Sequence, residues 1–233
     1  LQYSPLKRSR MIYVWILNFF VFLVFSQGLF LEKDTVDFEI FEKETFVSVK
    51  IDDKQIQSRV RVVQKALRAL DSGFSKTLIP LNSLHLTFNF YNISKINFKQ
   101  AQKSLQISAE SYVWHFGSFN LSFQGLDTFN DDNFLVFLPT VESAEKIDSF
   151  YRIMIEAFKE HGLSPSKNYD FSPHVVIAAL RTPEEQKLKE KLKLFRIDDF
   201  FIGNQKIQAL DLCSKTINPL TGYFDILAQA EFN

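Results

Sequence analysis

The sequence predicts one α+β domain made of two related lobes. Three observations carry that reading. Strands and helices alternate from Glu44 onward, two of the strands are headed by a histidine (His85 and His174), and no linker rich in Pro, Gly or Ser separates the halves. The chain of 233 residues has room for one large domain or two small ones. Its 46% hydrophobic content, with 26 phenylalanines, is enough for a sizeable core.

The first 31 residues stand outside that pattern. Lys7, Arg8 and Arg10 form a basic flank, Met11 to Phe25 is apolar except at Asn18, and Ser26-Gln27-Gly28 is small and polar. This is the plan of a secretory signal peptide, and counted through Leu31 the stretch would also suffice for a tilted membrane anchor. Residues 1–31 are therefore expected to be a signal peptide or signal anchor, with membrane contact through residues 11–31. The competing reading, a buried helix of the domain, fits poorly because the segment is apolar on every face. A functioning leader would make the protein secreted or anchored in the endoplasmic reticulum or membrane; otherwise it would be cytoplasmic or nuclear. Residues 32–44 connect this segment to a domain spanning 45–233.

Within the domain, Thr45 to Ile51 alternates apolar residues with β-branched content and reads as a strand. Gln55 to Leu70 places Ile56, Val60, Val63, Leu67 and Leu70 at helical spacing, and Asp71-Ser72-Gly73 stops it. Leu84 to Phe90 is a period-2 strand, with Leu84, Leu86, Phe88 and Phe90 on one face and His85, Thr87 and Asn89 on the other. A helix from Asn97 to about Val113 follows, then an antiparallel pair, Asn120–Phe123 with Asn133–Leu138. Glu142 to His161 is a helix ended by Gly162, and His174 to Leu180 a strand led in by Pro173. Thr182-Pro183-Glu184-Glu185 carries a strong helix start for an amphipathic, Lys-rich stretch to Arg196. Lys206–Thr216 and Gly222–Phe232 close the chain as strands.

Composition excludes several functions. Lys+Arg and Asp+Glu number 27 each, so no bulk basic field draws the chain to long nucleic acid. Removal of residues 1–26 takes away three basic groups and no acidic one, which leaves the domain mildly acidic. The seven glycines form neither a dinucleotide nor a P-loop fingerprint. The single cysteine, Cys213, rules out an intrachain disulfide framework and a multi-Cys zinc site. No metal or cofactor is expected.

The two strand-borne histidines carry the chemistry. His85-Leu86-Thr87 puts an imidazole and a hydroxyl on one strand face, so the histidine can move a proton while the threonine donates to an anionic oxygen. His174-Val175-Val176 offers an imidazole at the matching place in the second lobe. Two imidazoles across a groove suit phosphodiester cleavage, one taking a proton from the attacking hydroxyl and the other giving one to the leaving oxygen. His161 reads as a helix-end residue, His115 as structural or exposed, and Cys213 as core.

Four segments in order, Ser83-Leu-His85-Leu-Thr87, Leu121-Ser-Phe-Gln-Gly125-Leu, Phe171-Ser-Pro-His174 and Leu210-Asp-Leu-Cys-Ser214, with Gly222-Tyr223 near the end, carry a family resemblance. The chain resembles the two-histidine (2H) phosphoesterases, and within them the A-kinase anchor protein 7-like phosphoesterase domain, over about Thr45 to Phe232. The resemblance implies a bilobal, LigT-like α+β fold in which each lobe has an antiparallel sheet with helices, and a central groove between them. It implies metal-independent cleavage of RNA-type or nucleotide phosphodiesters (2′,5′-oligoadenylate, RNA 3′ ends or 2′,3′-cyclic phosphates), with a small nucleotide or oligonucleotide as substrate. His85 and His174 would be the acid/base pair in either assignment, Thr87 would hold a phosphate oxygen, and Phe88, Phe171 and Tyr223 are candidates for base stacking.

One position departs from the pattern. Val176 stands where the family has Ser or Thr, which removes one hydrogen bond to the phosphate. The alternative function is therefore a catalytically weak or inactive nucleotide- or RNA-binding domain of the same fold. Kinase anchoring, which in the resembling protein depends on a further amphipathic helix, is not expected of a sequence that ends at Asn233 after its last strand.

Overall fold

The structure, a computed structural model, describes residues 44–167 and 170–233. The expected leader and nearly all of the connecting segment lie outside the described residues. Among the described residues, no helix is long and apolar enough to cross a membrane.

The described chain has strands β1 (Thr45–Lys50), β2 (His85–Tyr91), β3 (Asn120–Phe129), β4 (Phe134–Pro139), β5 (Val175–Ala179), β6 (Ile197–Lys206), β7 (Ala209–Ile217) and β8 (Phe224–Glu231). The longer helices are α1 (Lys54–Leu70), α2 (Phe98–Phe116) and α3 (Val141–Glu160), and α4 (Pro183–Gln186) and α5 (Lys189–Leu192) are single turns. The strands form one antiparallel sheet in the order β6-β3-β4-β5-β2-β1-β7-β8. The two expected lobes are the halves of this sheet. They meet at the centre through one strand pair, Leu86 opposite Val175.

Local chemistry fixes the elements that frame this junction. Asp53 caps α1, its Oδ1 accepting from the backbone N–H groups of Gln55 and Ile56 at 2.8 and 2.9 Å. Ile56, Val60, Val63 and Leu67 are buried along one stripe of α1, as their spacing predicts. Gly203 lets β6 approach that stripe closely: its φ is +151°, and a Cβ there would lie 2.7 Å from Ile56 Cγ1. Gln205 of β6 ties the same region to the other half, accepting from the N–H groups of Asp52 and Asp53 and donating to Lys50 O at 2.8 Å. Only Ile207 and Gln208 separate β6 from β7, so the far edge of one half-sheet begins beside the other half.

Helices α2 and α3 pack together, the Ser104 hydroxyl donating to Ala157 O at 3.2 Å. They cover the sheet face that carries Leu86 and Phe88; Phe88 meets Phe150 edge-on at 4.8 Å, and Tyr91 stacks on Phe158 at 4.4 Å. Removing any one of the buried rings of Phe88, Phe150 and Phe158 would cost about 3–5 kcal/mol. The histidine face is left open.

Three sequence expectations need correction. Phe90 does not share a face with Phe88. The β1–β2 register shifts between Val47 and Ser48, so one residue of β2 is extra, and Phe90 turns to the histidine face beside Phe46. The stretch after Thr182 forms its capping box but breaks into two short turns, because of α4 and α5 only Leu192 is buried. Beyond it, β6 is a strand that the helical reading to Arg196 had obscured.

Candidate active site

The junction between the lobes is where the predicted chemistry comes together. Extending the Leu86–Val175 register by one residue each way sets His85 opposite Val176, and Thr87 opposite His174. Leu86 and Val175 point to the buried face, so these four side chains share the open face, all of them half-buried. The two histidines occupy one diagonal of the square, a separation of about 7–8 Å between backbones. Four residues singled out in sequence are thus one site.

Both imidazoles are oriented by the same device. His85 Nδ1 lies 2.8 Å from Ser83 O, and His174 Nδ1 lies 2.7 Å from Ser172 O, two residues upstream in each case. A carbonyl can only accept, so each Nδ1 carries the proton and each neutral ring keeps Nε2 as its basic atom. Burial lowers the proton affinity of His85, with a further lowering from the charge of His174 and an opposing rise from the bond to Ser83 O. Burial lowers that of His174 too, against the bond to Ser172 O. Neutral rings ready to accept a proton at Nε2 are therefore favoured near pH 7. The charge of His174 is felt at His85, in keeping with their diagonal placement.

Aromatic rings line the histidines, but not those expected. Phe88 is fully buried on the opposite sheet face, and Tyr223 is only 2% exposed, with its hydroxyl 3.3 Å from Ser48 Oγ. Phe171 is stacked on Tyr151 at 4.1 Å and 8°. Phe88 and Tyr223 are internal packing groups, which corrects the base-stacking expectation for those two, while Phe171 is half-buried. The rings that do flank the site are Phe46 and Phe224, 5.4 and 4.9 Å from His85, and Phe129, 4.2 Å from His174. Phe129 ends β3 just before Asn130, Asp131 and Asp132, three consecutive residues at φ +53°, +53° and +60°. Asn and Asp tolerate this left-handed turn better than other side chains. No sequence signal separated these three rings from the remaining phenylalanines, since their places depend on strand register.

The other expectations hold where the structure describes them. His161 caps the end of α3 with Nδ1 2.8 Å from Ala157 O, and His115 is exposed, with Nδ1 2.7 Å from Ser111 O. Cys213 is buried, and burial pushes its thiol well above the usual range, which makes it a core residue.

Two diagonal imidazoles on paired strands of a bilobal antiparallel sheet define the 2H phosphoesterase class, and comparison with known proteins agrees. The family model described as AKAP7 2′5′ RNA ligase-like domain matches residues 45–232, and the chain belongs to that family. It is 19% identical over 171 residues to the RNA 2′,3′-cyclic phosphodiesterase of Aquifex aeolicus (strain VF5), covering 72% of this chain and 88% of that protein. Among solved structures it is similar to a phosphoesterase (TM-score 0.57, 12% identity, 82% of this chain and 99% of that one). It is also similar to E. coli LigT complexed with 3′-AMP (TM-score 0.54, 11% identity, 82% and 98%).

Proposed function

We propose that the protein is a metal-independent phosphodiesterase acting on RNA-type or nucleotide phosphodiesters, with His85 and His174 as the acid/base pair. The observation that carries this reading is the paired Nδ1-to-carbonyl bonding, which leaves two Nε2 atoms on one open face. A phosphate placed between the rings meets a base on one side and an acid on the other. One neutral imidazole takes the proton of the attacking water or hydroxyl as the new P–O bond forms. The other, protonated, gives its proton to the leaving oxygen as that P–O bond breaks. Thr87 donates a hydrogen bond to a non-bridging oxygen, and Phe129, Phe224 and Phe46 offer rings at which a base could stack. Small nucleotides suit a groove of this kind, as in LigT with 3′-AMP.

The direction of proton flow follows the reaction, so hydrolysis of a 2′,3′-cyclic phosphate and transesterification of a chain use the rings in opposite order. The test is incubation with 2′,5′-oligoadenylate, 3′,5′-RNA and 2′,3′-cyclic nucleotides in EDTA. Turnover that disappears in His85→Ala and in His174→Ala, with the fold intact, supports the enzyme. Tight nucleotide binding without turnover in the parent protein would instead favour the second reading, a binding domain, for which the observation is Val176 in place of a hydroxyl.

A further inference from the structure

The register that builds the histidine square can be followed outward on both sides. In the first lobe β1 places Lys50 opposite His85 and Ser48 opposite Thr87. In the second lobe β4 places Val136 opposite Val176, and Leu138, one step past the Phe137–Val175 pair, opposite His174. The corresponding positions are thus a lysine and a serine in one half and two aliphatic residues in the other. Of these four flanking positions only Lys50 carries a charge.

The Lys50 side chain is 37% exposed. Its ammonium is 3.8 Å from Asp52 Oδ2 and 5.1 Å from the centre of the Tyr223 ring, and it makes no hydrogen bond among the described residues. Three N–H donors are therefore uncommitted. Its Cα is fixed in a strand paired on both edges, and its charge reaches Asp211 on β7. Two cations paired to the β3 strand and the turn after Phe129 are ion-paired at close range: Arg196 to Asp127 at 2.7 Å, and Lys193 to Glu190 and Asp132 at 2.9 and 3.2 Å.

We propose that Lys50 is a phosphate-binding residue of this site, its ammonium supplying the contact that Val176 cannot. The proposal rests on the phosphodiesterase reading and assigns the negative charge of the substrate to the first lobe. A phosphodiester anion gains charge as the fifth oxygen adds, while both flanking imidazoles begin with lowered proton affinity. Thr87 provides one neutral donor. An ammonium swinging from Asp52 to the phosphate provides charge that grows in value along the reaction.

The experiment is calorimetric binding of 3′-AMP, with adenosine as the uncharged control, to the full chain and its Lys50→Gln, Lys50→Met and Lys50→Arg variants. Lys50→Gln and Lys50→Met are expected to weaken 3′-AMP about tenfold or more while leaving adenosine unchanged, and to flatten the salt dependence. Lys50→Arg should restore most of the affinity. Equal 3′-AMP affinity in parent and Lys50→Gln would overturn the proposal, as would a parallel loss of adenosine or an absence of 3′-AMP binding in the parent. The catalytic reading fails separately, through a parent protein that binds 3′-AMP in a Lys50-dependent way but turns over none of the phosphodiesters.

Discussion

The two halves of the groove present the same imidazole in different surroundings. His85 stands beside Thr87, Lys50 and Ser48, above a layer in which Asp211 accepts from Gln229 at 2.7 Å. His174 stands beside Val176, Val136 and Leu138, with the ring of Phe129 against it. What the halves share is set by backbone: a strand start, and a carbonyl two residues back that holds Nδ1. What they do not share is set by the side chains at the neighbouring register positions. On the proposed reading, proton transfer would draw on both lobes while phosphate holding would be concentrated in one.

Several substitutions can break or sharpen that contrast. The largest effect is expected where the halves are alike. His85→Ala and His174→Ala should each lower kcat by about 10²–10⁴, and the double variant should lose far less than the product of the two, because acid and base act in one step. Steady-state kinetics on a 2′,3′-cyclic nucleotide would show a defect confined to one histidine if the lobes were not partners.

Thr87→Val, which makes the first motif like the second, should cost about 10²–10³ in kcat. Val176→Thr should raise kcat/KM by about tenfold, since a hydrogen bond to a charged acceptor contributes roughly 1.5–3 kcal/mol and some of that is offset by ordering a new donor.

The pH profile is a third check. Catalysis on this reading needs one imidazole neutral and the other protonated, and burial lowers both, with the charge of His174 further lowering His85. The profile of kcat/KM should be bell-shaped with its maximum on the acid side of 6.5, and should fall toward alkaline pH as the acid loses its proton. A maximum well above neutrality would contradict the lowering of both imidazoles by burial.

The smallest effect concerns stability and falls in the polar half, at Asp211. Burial raises the Asp211 carboxyl to about 6, so between the unfolded value of 3.8 and that value the folded chain holds a proton that the unfolded chain has released. Stability from this group is lost as pH rises through that window and stays lost at neutral pH. Asp211→Asn, which keeps an acceptor for Gln229, should remove the loss and be more stable at pH 7 by up to the order of 3 kcal/mol. Denaturant titrations at pH 4 and pH 7 measure it.

Much of this site was legible in sequence because its signals are local. His85-Leu-Thr87 and His174-Val-Val176 share faces by the period of a strand alone, and the alternation of elements reported an α+β chain before any contact was known. The unread part depends on pairing between distant segments. Lys50 and Phe46 reach the site through the β1–β2 register and its bulge, and Phe129 reaches it by the length of β3. Phe88 was misassigned because adjacency to Thr87 puts it on the other face, whereas Tyr223 is taken up by burial against Ser48 on β1. Strand β6 was missed because its burial is irregular, with exposed Ile197, Asp198 and Asp199 at its start and no period-2 pattern until Ile202.

The most direct test of a one-sided phosphate site is to exchange the hydroxyl between the lobes and measure kcat/KM on a 2′,3′-cyclic nucleotide. Thr87→Val should fall, Val176→Thr should rise, and the double exchange Thr87→Val/Val176→Thr should recover only part of the parent rate, because Lys50 remains on the first side. Rates for Val176→Thr equal to the parent in a folded protein, or full recovery by the exchange, would contradict it.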